Sequence, residues 1–575
     1  MEISHPSAGV RAGRHFVSPD LEIKNTDSLF NYFDDLLNRE FYTIHDLERW
    51  LLDRSELAAI LEEDLAWRYI YMNCDTADEK LAKRFEKFVT KIEPELTKQF
   101  NLLDRKFMDS PFSDQLDEKK YHVFKRTLKS RVEIFREKNL PLIATLQVEE
   151  QKYGKISSEM TITHKRKKIT LQEATNFLKD PHREIREKFY FQINDRRLED
   201  AEALQDLLTS LIDKRQQLAV NAGFENYRGY KWIELGRFDY SPEDCFRFHD
   251  SIATQVCPLV DQIAEQRKVK LGLDKLRPWD MEVDQDLKSP LKPFEKVNEL
   301  IDKSIESFGR IRPVYGKYLK TMKEGGFLDL DSRIGKAPGG FNYPLYESNI
   351  PFIYMNATGN LRDLETMFHE GGHAIHSFLS AGQKLVEYKE LPAEVAELAS
   401  MSMELISMDQ WGTFFTNKEE LARAKRSQLE GILQVLPWIA AVDKFQHWLY
   451  TNKNHSGEER NLEWKNIMRE FGSKVTNWEG IEKYRDFMWQ KQLHIYEVPF
   501  YYIEYGMAQL GAIAVWKKYR ENPVKALNQY EKALSLGYSV PISEVYQTAG
   551  IPFDFSKEYV NELMAFVAEE LRKID

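Results

Sequence analysis

The side chains best suited to chemistry in this sequence lie in the run FHEGGHAIH, where His369 and His373 stand four residues apart and Glu370 follows the first. If the run is helical, both imidazoles project from one face about a turn apart, as two ligands of one metal ion require. Glu370 is then rotated away by about 100°. From there its carboxylate can reach a water in an open coordination position without binding the ion, which is the place of a general base in metal-assisted hydrolysis. Gly371 and Gly372 interrupt the same run. Each costs a helix interior roughly 1 kcal/mol relative to alanine, so the pair implies that something approaches the backbone closely.

A catalytic zinc needs a third protein ligand and one open position. The next segment, LPAEVAELASMSMELISM, offers Glu394, Glu397 and Glu404 on one helical face. Its remaining positions are mostly apolar or small, so these carboxylates need partners, and a metal ion or a histidine N–H would serve. Glu365 lies four residues before His369, and Glu394 three before Glu397. Each is placed to accept a ligand histidine's free N–H and fix its tautomer. His376 shares the ligand face but lies too far along the axis for the same ion. It is expected behind the ligands or in the core.

The elements that hold these residues are legible in outline. Asn360 can cap the helix that begins LRDLETMF, with Asp363 in its first turn favoured by the dipole. Just before it, KAPGGFNYPLYESNIPFIYMNATG is rich in Gly, Pro, Asn and aromatics, and Phe352 to Met355 reads as a strand of a small sheet. Upstream, Trp50, Leu51, Leu57, Ile60, Leu61, Leu65 and Tyr69 recur at helical spacing, and similar patterns run to about residue 150. Around Met160 to Thr170, short alternation ending in the basic run His164 to Lys168 reads as a hairpin with a solvated turn. After Asp180-Pro181 the helical pattern resumes, giving an expected boundary near residue 190. On this reading residues 1–190 are an amino-terminal helical domain and 191–575 the catalytic domain.

Composition excludes several classes. With 42% hydrophobic and 30% charged residues over 575 positions, the chain can bury a large core. Only 27 glycines and 21 prolines argue for a mostly helical fold. The net charge of −11, with both signs mixed along the chain, argues against nucleic acid as a partner. Cys74, Cys245 and Cys257 are too scattered for a disulfide framework or a thiolate zinc cluster, so a reducing, cytoplasmic setting is expected. The first twenty residues lack a signal-peptide core and read as a loose arm. The most apolar later stretch, Gly431 to Val442, is broken by Gln434 and Pro437 and is too short to span a membrane.

Taken together, DLETMFHEGGHAIHSF and AELAS resemble the thimet oligopeptidase and oligoendopeptidase F metallopeptidases, a likeness that covers roughly Thr170 to the end and, more faintly, the amino-terminal half. The resemblance selects Glu397 as third ligand of one Zn²⁺. It makes KAPGGFNY, with Gly339 and Gly340, and PFIYMNATG a loop and edge strand where an extended peptide could add as a strand. HIYEVPFYYIEYGMAQLGA is similar to the family's segment whose histidine and tyrosines stabilise the transition state. That match assigns His494 and Tyr505 to the role, with Tyr502 as the second tyrosine and Tyr501 as its rival near the substrate. The implied fold is two helical halves around a deep substrate channel, and the implied activity is zinc-dependent endopeptidase cleavage of short oligopeptides. A related helical zinc carboxypeptidase and a non-catalytic peptide-binding scaffold are the alternatives.

Overall fold

A computed structural model of the chain describes residues 13–574. It is 71% helix, with a two-stranded and a three-stranded sheet. The expected hairpin is present: β1 (Thr161–His164) pairs antiparallel with β2 (Lys167–Thr170). Its two turn residues, Lys165 and Arg166, both have positive φ, 48° and 66°, as the tight turns that match strand twist require.

Contacts divide the described residues into two compact units, each assembled from separate stretches of chain. Unit 1 takes its residues from Met1–Phe135, Lys292–Lys425 and Ala508–Phe553, and unit 2 from Arg136–Leu291, Arg426–Met507 and Asp554–Asp575. The single boundary expected near residue 190 is therefore not where the contacts divide. Buried polar contacts account for the difference. Arg54, on the long helix Ile44–Cys74, is enclosed beside Asp104 at 2.6 Å and also pairs with Glu387. Glu63 on the same helix accepts the backbone N–H groups of Glu347 and Ser348, each at 2.8 Å. Such pairs are costly to open, so the amino-terminal helices are tied to the segment that carries the metal-ligand motif.

That long helix begins at a reciprocal cap between Thr43 and Asp46 and buries Trp50, Leu51, Leu57, Ile60 and Leu61, the stripe expected from spacing. The expected loose arm lies outside the described residues up to position 12. From residue 13 onward it is docked: Arg14 pairs with Glu347 at 2.6 Å, and Val17 is buried in the unit 1 core.

In unit 1, β3 (Leu328–Asp331), β4 (Phe341–Tyr343) and β5 (Phe352–Ala357) form a sheet in the order β3-β5-β4, with β5 parallel to β3 and antiparallel to β4. β5 is hydrogen-bonded on both sides. The edge position expected of PFIYMNATG thus belongs to β4, within KAPGGFNY.

Candidate metal centre

Thr358 and Gly359 lead from β5 into the helix Leu361–Ser380. Asp363 Oδ2 accepts the N–H groups of Thr358, Gly359 and Asn360, at 2.7, 2.8 and 3.0 Å, while Asn360 caps Asp363 in return. The start of the helix, and with it the direction of every later side chain, is thereby set by the sheet.

The two interior glycines have a steric reason. A Cβ on Gly371 would lie 2.5 Å from the Phe308 ring, and one on Gly372 would lie 2.6 Å from the Ser400 backbone. The bare Gly371 makes room for Phe308, and the bare Gly372 lets the helix Ala393–Ser407 pack directly against the histidine helix. Glu397 then points at the two imidazoles. Its Oε2 lies 3.3 Å from His369 Nε2 and 3.7 Å from His373 Nε2, and the three donor atoms are all within 4.8 Å of one another. The rings stand nearly perpendicular, at 86°, with centroids 4.8 Å apart. Both histidines are partly open to solvent, whereas Glu397 is buried.

Support for the donors comes from the same two helices. Ser400 Oγ donates to Glu397 Oε2 at 3.1 Å. Glu404 lies 2.7 Å from His369 Nδ1 and accepts its proton, which leaves Nε2, the nitrogen that turns toward Glu397, as the one that would bind an ion. Glu365, the acid to which sequence reasoning gave such a role, has Arg362 at 3.3 Å among its contacts. Glu404 stands seven residues, two helical turns, beyond Glu397, and that spacing was the available signal. Glu394 is buried on the same helix, where its carbonyl accepts the Tyr546 hydroxyl at 3.1 Å.

The electrostatics ask for a cation. Burial is the largest influence on Glu370 and, with Glu397 and Glu404 close by, outweighs the pull of His369 and pushes its carboxyl up to about 7. Burial opposes ionisation of Glu397 too, but His373, His369 and Ser400 overcome it and hold it at about 2. Burial drives His373 down to about 4, so its imidazole is a neutral ligand at pH 7. Burial also disfavours charge on His369, yet Glu397 and Glu404 outweigh it and raise its pKa well above the usual value. A divalent ion among three acids and two imidazoles would take over the role of that proton. Two imidazole nitrogens and one carboxylate oxygen, with solvent on one side, fit a catalytic divalent site. His376 is fully buried on the same helix.

Of the substrate-binding expectations, Gly339 has φ of +106° and open space around it, and Gly340 faces the β5 backbone. Asn342 on β4 donates to the Glu370 carbonyl at 3.4 Å, which brings the edge strand beside the histidine helix.

The remaining predicted residues gather in unit 2. His494 has ring centroids 4.7 Å from Tyr502, 5.8 Å from Tyr505 and 6.2 Å from Tyr501, and Tyr505 lies between the other two tyrosines at 5.6 and 5.3 Å. Gln492 fixes the imidazole through a 2.7 Å contact at Nδ1 and is itself held by the Trp438 indole at 2.8 Å. Burial pushes the Tyr502 hydroxyl up to about 12, so it remains a hydrogen-bond donor. Phe500, just before the pair, has φ of +69°, a strained conformation for a bulky residue. It is pinned because its N–H donates to Gln446 at 2.7 Å and its carbonyl accepts from buried Arg237, which pairs with Glu504 at 2.7 Å. Gln492, Arg237 and Glu504 carried no motif that sequence reading could use.

A second set of donors, Cys245, Asp443 and His447, also falls within 4.8 Å, but all three are buried in unit 2. His249 Nε2 occupies Asp443 Oδ2 at 2.8 Å, and Arg228 Nη1 lies 3.4 Å from His447 Nδ1. A guanidinium can only donate, so the His447 proton belongs on Nε2, turned toward Asp443 at 3.3 Å. This group reads as a hydrogen-bonded carboxylate beneath Phe500, whose ring lies 5.3 Å from His447.

Among the described residues no helix is long and apolar enough to cross a membrane. The sequence model of Peptidase family M3 matches residues 176–565, and that of the Peptidase M3 N-terminal domain matches 16–135. Oligopeptidase PepF of Bacillus subtilis is 23% identical over 389 residues, 67% of this chain but 56% of its own length. An oligoendopeptidase F homolog of Borreliella burgdorferi is 22% identical over 95% of this chain and 92% of its own. Among solved structures, PZ peptidase A with a bound inhibitor superposes with a TM-score of 0.90 at 26% identity, covering 98% of this chain and 100% of that one. A structure titled as a putative oligoendopeptidase F gives the same score at 24% identity, covering 98% and 99%. The chain belongs to Peptidase family M3, a metallopeptidase family, in its oligoendopeptidase F-like branch.

Proposed function

We propose that this protein is a zinc-dependent endopeptidase that hydrolyses internal bonds of short oligopeptides. The observation that carries the reading is the convergence of His369, His373 and Glu397 with Glu370 next to the first ligand. These three would hold the ion, and two imidazoles with one carboxylate favour zinc. When bound, the ion acts as a Lewis acid toward the peptide carbonyl and makes water acidic enough to lose a proton near neutral pH.

Glu370 takes that proton from the attacking water and then delivers it to the leaving amine. Its raised pKa suits both tasks, because a group that titrates close to 7 can accept and return a proton without a large penalty. Glu404 keeps His369 in the tautomer that ligates. In the role that the family resemblance gives them, Tyr505 and either Tyr502 or Tyr501 donate to the oxyanion, with His494 beside them. The outer edge of β4, with Gly339 and Gly340 before it, is proposed to pair with an extended peptide as an added strand. A reducing compartment such as the cytoplasm suits three free cysteines.

The test is Glu370→Gln. Zinc content should match wild type while kcat on a quenched peptide falls by ~10²- to 10⁴-fold. Turnover near the wild-type rate in that variant removes Glu370 from the reaction. Mass spectrometry of the products must show cuts inside peptides; release of single carboxy-terminal residues would favour a carboxypeptidase.

A further inference from the structure

Unit 2 contains a cavity of about 870 Å³ whose charged lining is one-sided: Lys179, Arg197, Arg485 and Lys491 against the single acid Glu282. In a chain with a net charge of −11 this is a local reversal. None of the four cations forms an ion pair among the described residues. Arg197 lies by the tyrosines Tyr153 and Tyr190, and burial, the largest influence on it, lowers its pKa. Lys491 is exposed to the cavity with its ammonium 4.5 Å from the Trp438 ring. Burial by surrounding protein, with Arg197 adding repulsion, outweighs the pull of Glu282 and brings it down to about 8. Two cations on one cavity wall, neither of them in an ion pair among the described residues and outnumbering the one acid, make a receptor for an anion.

The cavity wall also says which anion. Lys491 and Leu493 line it, and the residue between them, Gln492, holds His494. Apolar side chains such as Met281 and Trp478 complete the lining, as a pocket for peptide side chains requires. We propose that this cavity receives the carboxy-terminal end of a peptide, with its carboxylate held by Arg197 and Lys491. The inference rests on the peptidase reading for the identity of the ligand.

Binding is tested apart from cleavage by using full-length Glu370→Gln protein and a fluorescent pentapeptide, either as free acid or as carboxy-terminal amide. The free acid should bind about tenfold more tightly, the worth of one charged hydrogen bond. Arg197→Met and Lys491→Met should each bring the two affinities together, and Arg197→Lys should keep part of the difference. Equal affinities for acid and amide in the parent protein overturn the proposal, as does a preference that survives both methionine variants. An amide carrying Glu near its end that binds as tightly as the free acid also overturns it, because the cavity would then read acidic side chains. Wild-type protein that cleaves neither peptide while the binding preference stands counts against the peptidase reading and leaves the cavity assignment intact.

Discussion

Two clusters among the described residues each bring three ligand-type donors within 4.8 Å of one another, and only one reads as a metal centre. His369, His373 and Glu397 converge with their imidazoles partly open to solvent, and Glu404 holds the far nitrogen of His369. Cys245, Asp443 and His447 are equally close but closed in by protein, with the carboxylate taken by His249 and the imidazole faced by Arg228. Proximity of ligand atoms is thus a weak criterion. What separates the clusters is where each proton sits and whether a coordination position faces water.

The contrast can be broken most sharply by paired substitutions. Glu397→Gln should reduce peptide hydrolysis to the level of chelator-treated protein, whereas Asp443→Asn should leave metal content unchanged. Asp443→Asn should instead cost about 1.5–3 kcal/mol, read as a lowered midpoint in urea, because it weakens a buried hydrogen bond from His249 to a charged acceptor. Stability should follow pH in the same sense. The neighbouring histidines hold Asp443 below the usual carboxylate range despite its burial. An acid with a depressed folded pKa contributes above its unfolded value near 3.8 and loses that contribution as pH falls.

Tyr505→Phe sharpens the comparison from the unit 2 side. It should lower kcat by ~10²- to 10³-fold with metal content retained, the usual loss for one oxyanion donor. Parallel variants of Tyr501 and Tyr502 identify its partner, since the larger kcat loss marks the tyrosine that donates. The smallest expected effect is that of Glu404→Gln, a 10- to 100-fold weaker metal affinity measured by competition with a chelator. It also removes a negative neighbour that raises the Glu370 pKa. Glu370 must be ionised to act as base, so kcat/KM falls on the acid side at or below about pH 7, and Glu404→Gln should move that limb to lower pH.

Much of this was legible in the sequence because local chemistry decided it. The spacing of His369 and His373, the Asn360 cap and the cost of Gly371 and Gly372 all pointed to one helix, and the contacts of Phe308 and Ser400 supply the close approach that the glycines implied. What stayed hidden depended on tertiary placement. Three acids shared one helical face, and only the packing angle at Gly372 decides that Glu397 meets the ligands while Glu404 meets Nδ1. The single boundary near residue 190 could not anticipate Arg54 reaching Glu387, a buried pair 333 residues apart. The strain at Phe500 likewise arises from Arg237 and Gln446, which no local pattern links to it.

Metal analysis of purified, chelator-free protein tests the central claim most directly. The account predicts one zinc per chain in wild type, near zero in Glu397→Gln, and one still in Cys245→Ser. Zinc retained by Glu397→Gln but lost from Cys245→Ser would place the metal in the wrong cluster and contradict it.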